Sequence, residues 1–417
     1  MGDYLKNSKK IRDIVYGFVE LDEQEVEIIN HPVFQRLRRI KQLALTDMIY
    51  PGAVHSRFEH SIGVMQMATD MYDSLISKDD SRQILKEKLG LNEVGIGRCR
   101  KIIRLAALLH DIGHAPFSHS GEDLLCKLPE GHRNYQFGVR EHYTHEDYSI
   151  AIIKEKFRDI IENHRLNNNN AIKVDDVTAL LGDTSVKPKA ISLLWKELIS
   201  GQLDADRADY LLRDSMHLGV NYGLYDRNRL VSCIALGYNE ADAVVLGIER
   251  KGWHIAESII LSRYQMFSQV YFHKVRRIYD YHIHNACKAI LNNDGRENYP
   301  SVDELDKYLK YDDWYMYSKI INNVGGKHGD IILNRKHYKC IFDSEGHLTE
   351  DEKKTLLKYE QDKGKYYIDD KISTKWYKLD KEINIIDNSK VEPLSRMSNI
   401  VNSMRDNPCQ SRVYVIE

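Results

Sequence analysis

Apolar positions along the chain fall mostly at three- and four-residue steps, the period of a helix with one buried face. In "RFEHSIGVMQMATDMYDSLI", Phe58, Ile62, Met65, Ala68, Tyr72 and Leu75 form one stripe. Val64, Met67 and Met71 form a second stripe that continues from His60. Two stripes predict a helix buried on more than one side. "CRKIIRLAALLHD" is apolar from Ile102 to Leu109 except for Arg104, which predicts a central helix stopped by Gly113 and Pro116. In "LDADRADYLLRD", Asp206, Tyr210 and Asp214 recur at every fourth position, so a helix puts them on one face. A further helical run is expected from about Gly252 to Leu291. The polar stretch 131–145 and "NNNN" at 167–170 predict surface loops.

The texture changes after "LNNDGRENYPS" at 291–301, the best candidate boundary, and no internal repeat is visible. Beyond it, charges alternate with Tyr and Trp, and the charge-rich 351–382 stretch reads as a solvated surface. The expected architecture is mainly α: a helical core over 1–290 carrying a smaller C-terminal α+β lobe over 291–417, where oligomer or regulatory contacts would fall.

Composition narrows the function classes. The 417 residues are 42% hydrophobic and 29% charged with a formal net charge of −2, so a substantial core is available and no global basic field recruits nucleic acid or an acidic membrane. The six cysteines show no CxxC spacing, which reads as reduced and structural. No apolar run is long enough to span a bilayer. The start "MGDYLKNSKK" has no apolar signal core and carries Lys6 where a myristoylation motif wants Ser or Thr. A cytoplasmic protein is expected, with neither membrane nor nucleic acid as its main partner.

Candidate chemistry concentrates in "LLHDIGHAPFSH", which places three histidines and an aspartate directly after an apolar run. His110 and Asp111 could join His60, fifty residues upstream, and Asp206 on a third helix. Two imidazoles and two carboxylates suit a divalent ion with mixed ligation and positions left for water, as for Mn, Fe, Zn or Ni.

In order along the chain, "HPVFQRLRRIKQL", "PGAVHSRFEHS", "LLHDIGHAPFSH", "YTHED", "LDADRADYLLRD" and "RYQMFSQVYFHKV" resemble the HD phosphohydrolase superfamily. More narrowly they are similar to its deoxynucleoside triphosphate triphosphohydrolases, the branch of the vertebrate sterile-alpha-motif and HD-domain enzyme and the bacterial dGTPases. The resemblance covers roughly residues 10–290 and is loose over the last 120. It implies an HD-domain helical core with His60, His110, Asp111 and Asp206 as metal ligands. His119 and Glu122 match the family's catalytic His–acid pair, and His145 matches a second catalytic histidine. His114 would sit by the phosphates. Arg57, Arg207 and Arg263 correspond to phosphate contacts; position 207 is more often Lys in the vertebrate form, which keeps the charge. Gln42 and Leu43 would contact the sugar, while Tyr210, Asp214 and Tyr271 would frame sugar and base.

The implied reaction is hydrolysis of a deoxynucleoside triphosphate (dNTP) at its α-phosphorus, giving deoxynucleoside and intact triphosphate. Such a site wants a divalent metal (Mn, Fe or Zn, with Mg on the substrate phosphates), arginines for a multidentate phosphate grip, and a proton for the departing 5′-oxygen. Leu43 and Tyr271 against the sugar would disfavour a ribose 2′-hydroxyl. A homo-oligomer, dimer or tetramer, is implied too, as is a nucleotide effector site at Gln35 and Arg38, with Arg229 and Lys251 near further positions. Asn30 stands where the family has a guanine-reading aspartate, and an Asn cannot accept two donors from a guanine edge. That departure weakens the case for guanine nucleotides. Two other classes remain in view: an HD phosphohydrolase for a monophosphate, cyclic dinucleotide or alarmone, and a nucleic-acid-binding or nuclease defence module. The triphosphohydrolase pattern at Arg57, Tyr210, Asp214, Arg263 and Tyr271 weighs against the former. The near-neutral charge and the intact His119–Glu122 pair weigh against the latter.

Overall fold

The computed structural model describes residues 9–136, 138–344, 348–362, 364–372, 382–388, 390–404 and 410–416. Helices dominate, and a smaller strand-bearing C-terminal region accompanies them. Three helices frame the centre: α1 (Arg57–Ile76), α2 (Glu93–Leu109) and α3 (Ala205–Leu218).

Helix α1 begins at Ser56, whose capping box with Glu59 satisfies the first backbone donors. It is buried without interruption from His60 to Met65, the two-sided burial that its double stripe predicts. Helix α2 starts at an Asn92 cap and ends at Leu109, four residues before the expected glycine stop. His110 and Asp111 therefore stand just beyond a helix terminus instead of inside it. Asp204 caps α3 by accepting from Arg207 N at 2.7 Å, and Gly219 ends it in the left-handed region at φ 70.

Two glycines permit the close packing. A Cβ on Gly63 of α1 would lie 2.1 Å from both Arg213 Nη2 and Asp209 Oδ1 of α3. One on Gly113 would lie 2.3 Å from His145 O and from Ser149 N, at the start of α4 (His145–Lys156). Bare backbone at Gly113 is what lets α4 bring His145 to the centre.

The expected run from Gly252 to Leu291 is not one helix. It divides into α5 (Trp253–Met266), a π turn over Phe267–Tyr271, and α6 (Lys274–Asn293) capped by His273, whose Nδ1 accepts from Val275 N at 3.3 Å. The extra residue per turn re-aims the side chains that follow. Nor are the expected surface loops wholly exposed. Asn167 is buried and ties its own loop through Glu162 O, Ile172 O and Ile172 N.

Strands β1 (Lys9–Asp13) and β2 (Gly17–Leu21) form an N-terminal hairpin. Strands β3 (Ile234–Tyr238) and β4 (Val244–Glu249) close a four-stranded barrel with β7 (Asn384–Asp387) and β8 (Lys390–Pro393). A second sheet has the order β5 (Lys339–Asp343), β9 (Gln410–Val415), β6 (Tyr366–Ile372). One hydrophobic core runs from Val19 to Val401, across the 290/291 position, and a small satellite of Ile278, Ile331, Tyr338 and Tyr414 lies under the second sheet. Within 351–382, the helix Glu350–Glu360 buries only Leu356, as a solvated surface would, whereas β6 is paired along β9. Residues 373–381 lie outside the described residues. Among the described residues, no helix is long and apolar enough to cross a membrane.

Candidate metal centre and substrate cleft

Helices α1, α2 and α3 deliver His60, His110–Asp111 and Asp206 to one point. One ligand atom each from His60, His110 and Asp111 lie within 4.8 Å of one another. Asp206 Oδ1 stands 3.0 Å from His60 Nε2 and 3.8 Å from His110 Nε2. The remaining ring nitrogens settle which atoms face the centre. His110 Nδ1 donates to Ala107 O at 2.8 Å, since a carbonyl only accepts, which leaves Nε2 as the ring nitrogen facing the centre. His60 Nδ1 is held by Asp209 Oδ2 at 2.8 Å, and Asp209 is itself gripped by Arg213 and by Tyr16 Oη. A carboxylate behind a ring fixes its orientation and raises its basicity.

The donor set fits a divalent cation. His110 Nε2 is buried and makes no hydrogen bond. Burial alone would lower the His60 pKa, yet Asp206, Asp209 and Asp111 hold it up to about 10, the signature of a pocket that attracts positive charge. Burial would raise Asp111, but Arg57, His110 and His114 hold it well below the usual carboxylate range. Arg57 Nη1 lies 2.6 Å from Asp111 Oδ2, and Arg57 Nε donates to Ser118 Oγ at 2.9 Å.

A second cluster adjoins the first. Glu122 Oε1 lies 3.1 Å from His114 Nδ1, 3.0 Å from His119 Nδ1 and 2.8 Å from His145 Nδ1. His114 bridges the two groups, with Nε2 3.2 Å from Asp111 Oδ1 and its ring stacked 3.9 Å from that of His145. Burial, with Arg57 and His145 adding, pushes His114 down to about 3. Against its own burial, His145 is held up to about 9 by Glu122. Glu122 is kept ionised, against burial, by His145 and His119. His114 is thus neutral, while His145 carries charge. The His119 side chain is 63% exposed at the rim.

The turn between His114 and His119 is strained. Phe117 and Ser118 take φ of 60 and 54 without being glycine, a conformation that costs on the order of 1–3 kcal/mol each and persists only where surroundings impose it.

A cleft of about 830 Å³ opens beside the centre, and its wall includes Gln42, Leu43, Arg57, His119, Tyr210, Asp214 and Tyr271. Tyr271 Oη donates to Asp214 Oδ2 at 2.6 Å, and the Tyr210 and Tyr271 rings meet edge-on at 6.2 Å. The Gln42 Oε1 acceptor is buried and takes no hydrogen bond from the protein. Arg207 and Arg263 are not among the residues that line the cleft. Arg207 Nη1 pairs with Asp204 at 2.8 Å, and Arg263 lies over the Phe267 ring at 5.3 Å. Burial pushes the Tyr210 hydroxyl up, while the charges of Arg263 and Arg207 pull it down. The expected effector residues form two separate pairs. Arg38 Nε donates to Gln35 Oε1 at 2.9 Å, Arg229 Nη2 donates to Lys251 O at 2.8 Å, and no contact found among the described residues joins the pairs.

Sequence reasoning missed several supports. His55, 2% exposed, holds Asp214 Oδ1 at 2.7 Å and stacks on His217 at 4.4 Å. Asp209 had a signal: it sits three residues after Asp206 and four before Arg213, the spacing of a helical ion pair. Arg276, Tyr281 and Tyr367 also line the cleft, the last from the C-terminal sheet.

Comparison with known proteins agrees with this geometry. The HD domain family matches residues 57–214, and the HD associated region matches residues 225–411. An uncharacterised protein of Methanocaldococcus jannaschii is 36% identical over 278 residues, 67% of this chain and 49% of that protein. The deoxynucleoside triphosphate triphosphohydrolase SAMHD1 homolog of Dictyostelium discoideum is 30% identical over 283 residues, again 67% and 49%. The match thus spans about half the length of these curated relatives. The crystal structure of a hypothetical protein from Aquifex aeolicus superposes with a TM-score of 0.76 at 28% identity, covering 98% of this chain and 96% of that one. With a three-helix His and Asp centre inside the matched domain and these relatives around it, the chain belongs to the HD-domain family and is similar to its dNTP triphosphohydrolases.

Proposed function

We propose that the chain is a metal-dependent dNTP triphosphohydrolase that releases deoxynucleoside and inorganic triphosphate. The observation that supports this reading is a four-residue His and Asp centre with the Glu122 histidine cluster against it, beside a cleft whose wall carries Arg57, His119, Gln42, Leu43 and Tyr271.

His60, His110, Asp111 and Asp206 would hold the divalent ion (Mn, Fe or Zn, with Mg on the substrate phosphates). When bound, such an ion supplies Lewis acidity to the α-phosphoryl group and a water acidic enough to attack it near neutral pH. Charged His145 and Arg57 place positive charge where phosphoryl charge develops. Glu122 holds His119 through Nδ1, which leaves Nε2 to give a proton to the departing 5′-oxygen. Neutral His114 stays within the phosphate-side wall. Arg207 and Arg263 would reach the outer phosphates by movement of their long side chains. Gln42 offers its bare acceptor to the sugar hydroxyl, and Leu43 with Tyr271 packs where a 2′-hydroxyl would stand unpaired.

The reading extends to a cytoplasmic homo-oligomer, dimer or tetramer, with Gln35, Arg38, Arg229 and Lys251 as a nucleotide effector site. Those residues form two pairs in the chain, and a shared effector would have to contact both.

The test is hydrolysis of each of the four dNTPs and four NTPs with Mn²⁺, with and without GTP, products being separated by ion exchange. Deoxynucleoside plus intact triphosphate, lost on chelation and in Asp111→Ala together with bound metal, is expected. Silence with every dNTP, singly and mixed, would sink the reading and turn the search to monophosphates, cyclic dinucleotides and alarmones. Indifference to added nucleotides would remove the effector site alone.

A further inference from the structure

The Phe117–Ser118 turn between His114 and His119 is held from outside. Ser118 Oγ donates to Lys41 O at 2.7 Å and accepts from Arg57 Nε at 2.9 Å, so the turn sets the guanidinium that faces Asp111. Three contacts from one short segment, residues 308–313, reach this neighbourhood. Tyr308 Oη donates to Gly113 O at 2.7 Å. Arg36 Nη2 ties Tyr311 O, at 2.7 Å, to His114 O, at 2.9 Å. The Asp313 carboxylate accepts from Phe117 N at 2.7 Å with one oxygen and from Lys41 N at 2.9 Å with the other. Asp313 is 2% exposed, opens the helix Asp313–Ile321, and lies outside the residues that match the HD domain.

We propose that Asp313 is a positioning residue of the centre: holding the amides of Lys41 and Phe117 on its two oxygens, it fixes the Phe117–Ser118 turn and, through Ser118, the Arg57 guanidinium against Asp111. This rests on reading the site as a phosphohydrolase centre. Above the value of about 7 to which burial pushes it, the Asp313 carboxylate offers two acceptors and no donor, whereas an asparagine would turn an NH₂ toward one of the amides. Among the described residues, no side chain nearer in sequence accepts from both amides. The two loops are otherwise tied side by side through Ser118 and Lys41, and Asp313 closes that tie into a ring.

The experiment compares Asp313→Asn with Arg39→Ala in the full chain with Mn²⁺. Arg39 pairs with Asp312 at 2.5 Å, so its loss loosens the same segment without touching the turn. Bound metal, deuterium exchange in residues 113–119, and kcat and KM on a dNTP and on bis(4-nitrophenyl) phosphate are read well below the thermal midpoint. Asp313→Asn is expected to keep its metal, exchange faster in 113–119, and lose roughly tenfold to a hundredfold in kcat with little change in KM. Arg39→Ala should keep the parent kcat. An unchanged kcat in Asp313→Asn, or equal losses in both variants, overturns the proposal. Should Asn not fold, Asp313→Glu, whose extra methylene moves both acceptors away from the two amides, is read in the same way. If the parent cleaves neither substrate, the phosphohydrolase reading has failed on its own, and exchange decides: faster in Asp313→Asn alone supports the positioning role, and no difference between the variants removes it.

Discussion

A single methyl group probes how the centre is assembled. The Cβ of Gly113→Ala would overlap His145 O and Ser149 N, both backbone atoms that cannot swing aside. We expect a loss of about 1–3 kcal/mol in urea denaturation, as for an overpacked core, and a fall in kcat as α4 carries His145 away from Glu122. Gly97, in the interior of α2, is the matching control. Nothing lies within 4 Å of its added Cβ, so Gly97→Ala should stabilise by about 1 kcal/mol and leave kcat unchanged. Equal effects at the two sites would refute the packing argument. The same contrast separates what is legible in sequence from what is not. His110, Asp111 and Asp206 announce themselves by residue type next to a helix terminus, and Asp209 by its i,i+4 partner. His55 and Asp313 carry no local signal, because each acts on a partner more than a hundred residues away.

At the scale of elements, periodicity finds the helices and fails at their interruptions. The stripes of α1 and α2 are readable because burial imposes them. The π turn at Phe267–Tyr271 leaves the apolar content unchanged while re-aiming Tyr271 at Asp214, so no pattern exposes it. Helix α6 offers a test of its docking to the second sheet. His282 is fully buried in it, with Nδ1 2.9 Å from His328 Nδ1. Burial pushes its imidazole down to about 3, with His328, His337 and Lys327 adding. An unfolded histidine titrates near about 6.5, so the unfolded chain binds a proton that the folded one refuses. The resulting stability is complete above that value and drains away as pH falls toward the folded pKa. Between those limits His282→Asn should remove up to about 1.4 kcal/mol per pH unit from the slope of stability against pH. Parallel slopes in parent and variant would show that His282 is not the group responsible.

For the whole molecule, the change of texture at 291–301 is real in composition but does not mark where the core stops. Tyr308, Tyr311 and Leu394 belong to the same apolar cluster as Phe58 and Leu108. Arg277 reaches both carboxylate oxygens of Asp369 at 3.0 Å, latching β6 to the helix that lines the cleft. A chain ending at residue 300 should therefore fail to unfold cooperatively and should not retain the metal. A sharp two-state transition in that fragment, followed by circular dichroism, would contradict the shared core.

The four-stranded barrel also bears on how the protein is born. Ile248 pairs with Ile385, so β3 and β4 leave the ribosome long before β7 and β8 exist. At about 5–20 residues per second, synthesis leaves that hairpin waiting roughly 7–30 s with both edges bare. Contacts this distant in sequence form late and slowly. Throughout that interval the nascent chain offers unpaired backbone to any neighbouring strand, so slower translation through residues 250–393 should lower its yield unless a chaperone covers that hairpin.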